Sequence, residues 1–513
     1  MIVFIPCAGK GERVNSYSFN FNKTLIPYNN KPIISHIIDS YPKDYKFIIG
    51  LGYKGNIIKN YLNLAHPNKE ILFYKVSTFE GKEASLTRTI KEGLKYINEP
   101  FIFHANDMIV NYKVKEYANN FALIDNKNKD FWLYRYFKVD GKKKEIFEKK
   151  QSVIDKNNHY PYLGIAFIKD YLAFKKIISN SKKKIGEVEF FQSNISYKLV
   201  KCKSFLDFGN PQTNEELNKN NFLDKKNETI YFLNNKVFKY CSDKEKNILK
   251  YKRSLYIKKY LPLGVKQKNE FLIYNFQKGN LLNQNYRPLK QLLDYLYNKF
   301  WFNGYSKRSD KVFQKNCFKF YHDKTYSRLK LLDNLKQLEK IKEINGFKIK
   351  SVFNYLKKIN WSYVSEGMQC NFHGDLHGSN IIHEKNKFTL IDWREKFGDD
   401  IRTGDIYYDL AKIYHGLIVD HKFIRKNQFK IKINNGSASI YPKINKNLIL
   451  GNKIFWKFIY EKKFDEKKII LITALIFINI SPLHNKHYKS FLFLLGKYML
   501  ATNEKFKFTN ISK

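Results

Sequence analysis

"CNFHGDLHGSNIIHEKNKFTLIDW", the stretch Cys370–Trp393, concentrates three histidines, two aspartates and three asparagines in a short span. His373, His377 and His383 are spaced four and six residues apart, and the His-x-x-x-His spacing of the first two can bind zinc from one face of a helix. Glycines directly after the first two histidines interrupt any such helix, and no cysteine or glutamate stands at a zinc-ligand spacing. The zinc interpretation is therefore disfavoured. A polar loop followed by a β-hairpin is the alternative.

The length of the chain and its charge limit the classes of protein to consider. At 513 residues the chain is too long for one hydrophobic core, which predicts two or three domains. The net charge is +46, but Lys, Asn, Ile, Tyr and Phe are all abundant together, as is typical of A/T-rich coding. The basic residues are spread along the chain rather than gathered in an Arg-rich arm. We therefore expect attraction to anionic nucleotides or a membrane surface and no nucleic-acid partner.

Cysteine usage and apolar runs indicate the compartment. The five cysteines form no C-x-x-C pair, which suits a reducing cytoplasm. The start, "MIVFIPCAGKG", lacks the basic region of a signal peptide. The longest apolar run, "IILITALIFINI" (Ile469–Ile480), is shorter than a membrane span and is typical of a buried helix. We expect a cytoplasmic protein without a transmembrane segment.

The first hundred residues alternate short apolar runs with amphipathic stretches. Continuous apolar strands separated by helices predict an α/β fold with a parallel sheet covered by helices. Sites in such sheets lie at the carboxyl ends of the strands. Both "CAGKGER" and "HAND" follow predicted strands, so we expect a site there.

A polar stretch, "NEELNKNNFLDKKN" (214–227), is the best candidate for a domain boundary. A short β-like block follows it, and helical patterns dominate from there to the C-terminus, which predicts an α+β fold. The predicted domains are 1–222 and 228–513, with a join near residue 225. The second domain divides into a small β lobe, about 228–282, and a helical lobe, about 283–513.

The stretch "AGKGERVNSYSFNFNKTLIP" has the composition of a phosphate-binding loop. Gly9 and Gly11 allow backbone N–H groups to approach a polyphosphate closely. Arg13 offers a planar fork for phosphate oxygens, and Lys23 adds a compact positive charge. The position of this loop after the first predicted strand favours function over a simple tight turn.

At these residues the chain resembles the sugar-phosphate nucleotidylyltransferases, which join a nucleoside triphosphate to a phosphorylated small molecule and release pyrophosphate. The family pattern G-x-G-x-R followed by K-x-x-x-P is present, and the resemblance implies a Rossmann-like α/β fold. Further segments match in order. The resemblance implies base contacts through Gly81 and Ser85 of "EGKEASLTRTI", a Mg²⁺ ligand in Asp107 of "FHANDM", a lysine for the acceptor's phosphate in Lys149 of "EKK", an acceptor-pocket glycine in Gly164 of "YLGIAFI", and a second Mg²⁺ ligand in Asp207 of "FLDFGNPQT".

Two departures from the family pattern affect these assignments. The segment "KKKEIFEKKQ" around Lys149 lacks the usual proline, and Asn210 replaces the usual threonine after Asp207. The implied chemistry needs no general base, because the attacking phosphate oxygen is already ionised. Arg13, Lys23 and backbone N–H groups would stabilise the leaving pyrophosphate. CTP or UTP is favoured as the nucleotide, because "EGKEAS" is similar to the segment of pyrimidine-using relatives.

The opening stretch contains His-Gly-Asp-x-His-x-x-Asn followed by Ile-Asp-Trp, and resembles the aminoglycoside phosphotransferase and choline kinase group. This resemblance implies a protein-kinase-like α+β fold that uses ATP. It makes Asp375 the base that receives the proton of the acceptor hydroxyl, and Asn380 and Asp392 the Mg²⁺ ligands. His373 would support the loop by hydrogen bonding. Lys239 is the expected phosphate-contacting lysine.

Residues around this motif have structural roles by the same resemblance. Asp405 and Asp409 are expected as a helix cap and a support for the loop. Glu245 is the only nearby acidic candidate to pair with Lys239. The stretch 301–324 is expected to line the acceptor site, where aromatic residues could either cage a quaternary ammonium group or simply pack.

Together these features predict a bifunctional enzyme with Mg²⁺ as cofactor. The kinase domain would phosphorylate a hydroxyl of a sugar, polyol or amino alcohol. The nucleotidylyltransferase domain would then couple the phosphate to a nucleoside monophosphate, giving an activated precursor for a surface (capsule) polysaccharide. Two alternatives stay open: one domain is only a binding module, or the two domains act on unrelated substrates. The sequence does not indicate an oligomeric state.

Overall fold

The computed structural model describes residues 1–11, 22–113, 117–125, 133–148, 158–210, 227–484 and 486–502. By its internal contacts the chain divides into two compact units. The N-terminal unit comprises Met1–Lys219 with Thr229–Asn234, and the C-terminal unit comprises Asn220–Glu228 with Asn235–Lys513. The join predicted near residue 225 lies outside the described residues.

The first part of the chain alternates strands and helices. Up to residue 233 the described elements are β1 (Ile2–Cys7), β2 (Pro27–Tyr28), β3 (Lys31–Pro32), α1 (Ile33–Asp39), β4 (Lys46–Leu51), α2 (Gly55–Ala65), β5 (Ile71–Lys75), α3 (Leu86–Gly93), β6 (Phe101–His104), β7 (Met108–Val110), β8 (Phe121–Ile124), β9 (Tyr136–Asp140), β10 (Lys143–Phe147), β11 (His159–Ile168), α4 (Tyr171–Asn180), α5 (Val188–Phe191), β12 (Lys198–Lys201), β13 (Phe205–Asp207) and β14 (Glu228–Leu233).

A mixed sheet with a parallel centre forms the core of the N-terminal unit. The strand order is β10-β9-β11-β6-β1-β4-β5, with β8 and β12 off this path. β1 pairs in parallel with both β4 and β6, and β4 pairs in parallel with β5. Every residue of β1 is buried, because helices cover both faces of a parallel sheet. The predicted α/β class is confirmed.

Beyond residue 233, strands precede a mainly helical region. The described elements are β15 (Lys236–Cys241), α6 (Lys244–Ile257), β16 (Lys266–Lys268), β17 (Phe271–Asn275), β18 (Asn280–Leu281), α7 (Leu289–Tyr295), α8 (Asp310–Phe318), α9 (Lys324–Lys330), α10 (Leu335–Glu339), β19 (Glu343–Ile344), β20 (Phe347–Lys348), α11 (Val352–Lys358), α12 (Trp361–Ser365), β21 (Gln369–Cys370), β22 (Ile381–Glu384), β23 (Lys387–Leu390), β24 (Gly404–Asp405), α13 (Ile406–Ile418), α14 (His421–Arg425), β25 (Phe429–Asn434), β26 (Ser437–Pro442), α15 (Lys446–Glu461), α16 (Glu466–Ile480) and α17 (Lys486–Thr502).

The C-terminal unit has the predicted α+β character. β15, β17 and β16 form an antiparallel ladder, and α6 packs against all three strands. In the helical region α13 packs on α16, and α16 packs on α17. The hairpin β22–β23 follows the polar loop of the opening sequence stretch, as predicted. A second hairpin, β25–β26, was not predicted. It turns through Asn435 and Gly436, both with positive φ, as a type I′ hairpin turn requires.

The apolar run predicted as a buried helix lies in α16. Its residues from Ile469 to Asn479 are buried in the core of the C-terminal unit. Among the helices that the structure describes, none is both long enough and apolar enough to cross a membrane.

Arg253, on α6, is a fully buried cation that ties this helix to the helical region. Its guanidinium donates to the carbonyl oxygens of Ile401 (2.8 Å), Arg402 (3.0 Å) and Phe372, and to the side-chain oxygen of Asn371 (3.0 Å). It also lies 4.1 Å from the centre of the Phe372 ring. Burial lowers the pKa of Arg253 to about 10, which leaves it charged at neutral pH.

We predict that Arg253→Met lowers the free energy of unfolding of the C-terminal unit by about 3 kcal/mol or more, because buried acceptors lose their donor. Urea denaturation followed by tryptophan fluorescence measures this, since four of the five tryptophans lie beyond residue 300. Arg287→Met is the matched control at an exposed position and should change the stability little. Equal stability of the two variants would contradict the account.

Candidate active sites

The first candidate site lies at the carboxyl ends of β1 and β6. The chain runs from β1 outward to β4 and β5 and then crosses to β6 on the other side of β1, and ligands bind at such a reversal of strand order. A pocket of about 480 Å³ lies at these strand ends. Its lining includes six of the residues predicted from the sequence: Gly9, Lys23, Ser85, Asp107, Gly164 and Asp207.

Asn22 fixes the described ends of the glycine-rich loop. Its side-chain nitrogen donates to the carbonyl oxygens of Cys7 (3.1 Å), Gly9 (3.2 Å) and Tyr53 (3.0 Å). Gly11 has a φ of +71° and packs against the Lys23 side chain, so a side chain at this position would be strained. Arg13 lies outside the described residues.

Asp107 and Asp207 are brought side by side by the β7–β13 pair and by Gly209. β7 follows Asp107 directly, and Asp207 pairs with Met108 across the ladder. A Cβ on Gly209 would lie 2.6 Å from Asp107 Oδ2 and 3.0 Å from Asp207 Oδ1. The absence of a side chain on Gly209 therefore keeps a space open between the two carboxylates.

The charges around this carboxylate pair are partly balanced. Lys23 Nζ donates to Asp107 Oδ2 at 2.6 Å, and the Gly209 N–H donates to Asp207 Oδ1 at 2.7 Å. Burial, followed by the nearby Asp107 charge, raises the pKa of Asp207. Mg²⁺ is commonly held by one or two carboxylates together with substrate phosphates, and an open space between two carboxylates fits that donor set.

Other predicted residues of the N-terminal unit have distinct positions. Ser85 caps helix α3, its Oγ accepting from the Arg88 N–H at 3.1 Å. Gly164 has a φ of +68°, and a Cβ there would lie 2.8 Å from that of Ala105. Gly81, with a φ of +81°, does not line the pocket. Lys149 lies outside the described residues.

Three pocket residues were missed by sequence reasoning. Tyr134 lies beside Asp207. Burial, followed by the charge of Asp207, raises the pKa of the Tyr134 hydroxyl. Glu187 is buried against Tyr162 and Arg135, and burial raises its pKa to about 7. Arg135 also pairs with Glu148 at 3.1 Å. None of these stands in a local motif, so only the folded chain reveals them.

The second candidate site is the loop His373–Asn380, which we call the catalytic loop. The side-chain nitrogen of Asn380 donates to the Asp375 carbonyl oxygen at 2.9 Å and approaches Asp375 Oδ2 at 3.3 Å. The Ile391 N–H donates to the Asn380 carbonyl oxygen at 2.9 Å, which ties the loop to the strand that precedes Asp392. Asp375, Asn380 and Asp392 are thereby brought together, as their spacing predicted.

Asp409 and His373 support the catalytic loop from behind. Asp409 accepts the N–H groups of His373 (2.8 Å) and Gly374 (2.7 Å) and the indole N–H of Trp301 (3.1 Å). Burial raises the pKa of Asp409 to about 6. His373 accepts the Asp375 N–H at Nδ1 and lies 3.0 Å from the Ile391 carbonyl oxygen at Nε2. Both ring nitrogens of His373 are therefore engaged within the protein.

Asp392 is held by two lysines. Lys239 donates to Asp392 Oδ1, and Lys250 of α6 donates to the same atom at 3.1 Å. Burial lowers the pKa of Lys239, and the neighbouring Lys250 charge adds to this. Within the described part of the chain, Glu245, the partner expected from the sequence, forms no hydrogen bond or ion pair with Lys239. The residue of α6 that contacts Asp392 is instead a lysine, Lys250. Asp392 has a φ of +56°, a strained conformation for an aspartate.

Lys412 is a buried partner of Asp375 that sequence reasoning missed. Its Nζ lies 2.7 Å from Asp375 Oδ1. Burial alone would raise the pKa of Asp375, but the charge of Lys412 holds it well below its usual range. Asp405 caps α13 by accepting the Tyr407 N–H at 3.1 Å, in line with the structural role expected for it.

A carboxylate and an amide oxygen, from Asp392 and Asn380, are donors that suit Mg²⁺ beside a nucleotide. Within the described ranges, no group of three or more His, Cys, Asp or Glu side chains is arranged to hold a metal ion by itself. Both candidate sites offer two protein ligands each, which is the pattern of Mg²⁺ shared with phosphate oxygens rather than of a structural zinc.

Comparisons with known proteins address both units. Residues 323–425 match the model of the Phosphotransferase enzyme family, and this match contains the whole catalytic loop and Asp392. The resemblance predicted for the C-terminal domain is thereby confirmed over these residues. No curated protein matches the chain.

The N-terminal part is similar to solved nucleotidylyltransferase structures. UDP-glucose pyrophosphorylase complexed with UDP-glucose is 15% identical over 42% of this chain and 97% of that chain, with a TM-score of 0.36. UDP-glucose pyrophosphorylase from Acinetobacter baumannii is 13% identical over 42% and 92%, with a TM-score of 0.35. CTP:phosphocholine cytidylyltransferase from Streptococcus pneumoniae is 14% identical over 42% and 98%, with a TM-score of 0.34.

We predict that Gly209→Ala weakens metal binding at the Asp107–Asp207 pair by about tenfold or more, because the added methyl group would occupy the space between the carboxylates. Electron paramagnetic resonance of Mn²⁺, in a chain that also carries Asp392→Asn, measures this site alone. Gly9→Ala is the control, since a methyl group there meets nothing within 4 Å. Unchanged Mn²⁺ affinity in Gly209→Ala would remove the metal site from this position.

Proposed function

We propose that the chain is a bifunctional enzyme. The C-terminal unit phosphorylates a hydroxyl group of a small molecule with ATP. The N-terminal unit then couples the new phosphate to a nucleoside monophosphate and releases pyrophosphate. The observation that carries the proposal is that each unit has two oxygen ligands that suit Mg²⁺ and a lysine paired with one of them. The ligands are Asp107 and Asp207 in one unit and Asn380 and Asp392 in the other.

In the kinase step Asp375 accepts the proton of the acceptor hydroxyl. The hydroxyl oxygen forms a bond to the γ-phosphorus of ATP, the bond from that phosphorus to the bridging oxygen breaks, and ADP leaves. The low pKa of Asp375, set by Lys412, keeps it ionised and able to orient the hydroxyl. Lys239, on β15 of the same unit, is proposed to contact the phosphates.

In the transferase step an ionised oxygen of the phosphorylated acceptor attacks the α-phosphorus of the second nucleotide. The bond to the bridging oxygen of the β-phosphate breaks, and pyrophosphate leaves. Lys23 would stabilise the pyrophosphate, and the backbone around Gly9 would allow its close approach. Arg13 and Lys149 are proposed to contact the pyrophosphate and the acceptor's phosphate. Ser85 and Gly81 are proposed to contact the base, and Gly164 the acceptor.

Mg²⁺, held by Asp107 and Asp207 in one unit and by Asn380 and Asp392 in the other, would supply charge neutralisation of the phosphates. CTP or UTP is proposed as the second nucleotide. The product would serve as an activated precursor of surface polysaccharide in the cytoplasm. The presence of acid, lysine and metal-ligand positions in both units supports two activities over a catalytic domain joined to a binding module.

We predict that the protein, with Mg²⁺, ATP and CTP or UTP, converts a free alcohol from a panel of sugars, polyols and amino alcohols into a nucleotide conjugate detected by mass spectrometry. Asp375→Asn should slow phosphorylation by about a hundredfold or more and still use a pre-phosphorylated acceptor. Asp107→Asn should stop at the phosphorylated acceptor.

Each variant is the control for the other, because each disables one unit and leaves the other intact. Conjugates that form only from supplied phosphates, with ATP never consumed by any free alcohol, would reject the kinase half. Phosphorylated acceptors that never become conjugates with any nucleotide would reject the transferase half.

A further inference from the structure

A group of cations lies beside the catalytic base of the phosphotransferase domain. The group, which we call the cationic cluster, consists of Lys324, Arg328, Arg394 and Lys412. Burial, followed by the charges of the other three members, lowers the pKa of Lys324 well below its usual range. Lys324 is therefore close enough to the other three side chains for their charges to repel it. The members come from separate parts of the sequence: α9, the segment after Asp392, and α13.

Two members of the cationic cluster contact the catalytic loop itself. Lys412 Nζ lies 2.7 Å from Asp375 Oδ1, and Arg394 Nε donates to the Gly374 carbonyl oxygen at 3.1 Å. The cluster is thereby placed at the base that takes the proton of the acceptor. Lys239 and Lys250, which hold Asp392, come from the β strands and α6 and are separate from it.

The aromatic residues at this position already hold cations of the protein. Lys324 Nζ lies 4.0 Å from the centre of the Phe320 ring and 5.7 Å from that of Tyr408. The Arg394 guanidinium lies 5.4 Å and 5.8 Å from the same two rings. A quaternary ammonium group, considered from the sequence alone, would meet like charges here, so the arrangement disfavours that interpretation.

Two members of the cluster have no acidic partner. Neither the Lys324 side chain nor the Arg328 side chain forms a hydrogen bond or an ion pair within the described part of the chain. The acids nearby are Asp375, which Lys412 engages, and Glu395, whose pKa Arg394 helps to lower. Uncompensated charge that is partly buried is costly, and an anionic ligand would relieve that cost.

We propose that the acceptor of the phosphotransferase domain is a small hydroxylated anion, whose carboxylate or phosphate oxygens bind Lys324 and Arg328 while its hydroxyl faces Asp375. The proposal rests on the kinase half of the proposed function and names its substrate class. Arginine suits such an oxyanion because its planar fork can donate two parallel hydrogen bonds, and lysine adds a compact charge.

The test is calorimetric titration of the full chain with matched ligands, with and without Mg²⁺ and a non-hydrolysable ATP analogue. Glycerate and glycerol 3-phosphate are the anionic probes, glycerol is the neutral one, and choline and ethanolamine are the cationic ones. We expect at least one anionic probe to bind about tenfold more tightly than glycerol or the cations. The preferred anion distinguishes a carboxylate site from a phosphate site.

Variants test whether the cluster is responsible. Lys324→Met and Arg328→Met should each weaken binding of the preferred anion by about tenfold, with unchanged affinity for the ATP analogue. Methionine keeps an apolar stem near Phe320, so the packing is largely retained. Lys462→Met is the matched control: this lysine also lies over an aromatic ring, 4.3 Å from the centre of Tyr297, and the variant should bind the anion like the wild type.

Tighter binding of glycerol or of a cation, absence of binding by both anions, or anion binding that is indifferent to both variants would overturn the proposal. Because binding is scored without turnover, these outcomes are separate from failure of the kinase function. That failure would appear as no binding of the ATP analogue and no ADP formation with any acceptor, while the titrations without nucleotide still score the anion site.

Discussion

Of the four carboxylates proposed to act in the two sites, all are partly buried, and three have a lysine beside them. Lys23 pairs with Asp107, Lys412 with Asp375, and Lys239 and Lys250 with Asp392. A buried carboxylate without a counter-charge would take up a proton and could neither hold a metal ion nor orient a hydroxyl. The lysines therefore maintain the charge on which both sites depend, and the surrounding loops are shaped to keep these pairs together.

The fold was predictable from the sequence where the signal was local. Continuous apolar strands predicted the parallel sheet, and glycine spacing predicted the loop that follows β1. The fixed order of His373, Asp375, Asn380 and Asp392 predicted a loop and a hairpin, because residues close in sequence are constrained by the same few turns. The hairpin β25–β26 also had a local signal, an alternating pattern around Asn-Gly, which was overlooked within a helical region.

The residues that sequence reasoning missed act across large separations in the chain. Lys412 reaches Asp375 from a helix 37 positions later, and Lys250 reaches Asp392 across 142 positions. Glu245, expected from the sequence to pair with Lys239, lies on α6, but the residue of α6 that contacts Asp392 is Lys250. Tyr134 and Asp207 are likewise far apart in the sequence, and only the folded sheet brings them next to each other. Such pairings depend on which faces of the elements meet, and no local pattern specifies them.

The proposed anionic acceptor sets a requirement for the proposed transferase step. A kinase that accepts a hydroxylated anion makes a product with two anionic groups, and only one of them is the new phosphate. A transferase in the same chain would have to select that phosphate for attack. Arg135 lines the pocket that holds Asp107 and Asp207, and an acceptor of this class would compete with Glu148 for its guanidinium.

The most direct test of successive action is to follow the γ-phosphate of ATP. The protein would be incubated with γ-labelled ATP, unlabelled CTP or UTP, Mg²⁺ and the free acceptor, and the products separated by chromatography. Successive action predicts that the label appears first in the acceptor phosphate and then in the nucleotide conjugate, at the phosphate next to the acceptor. A conjugate that forms without label, or label that stays in the acceptor phosphate, would contradict it.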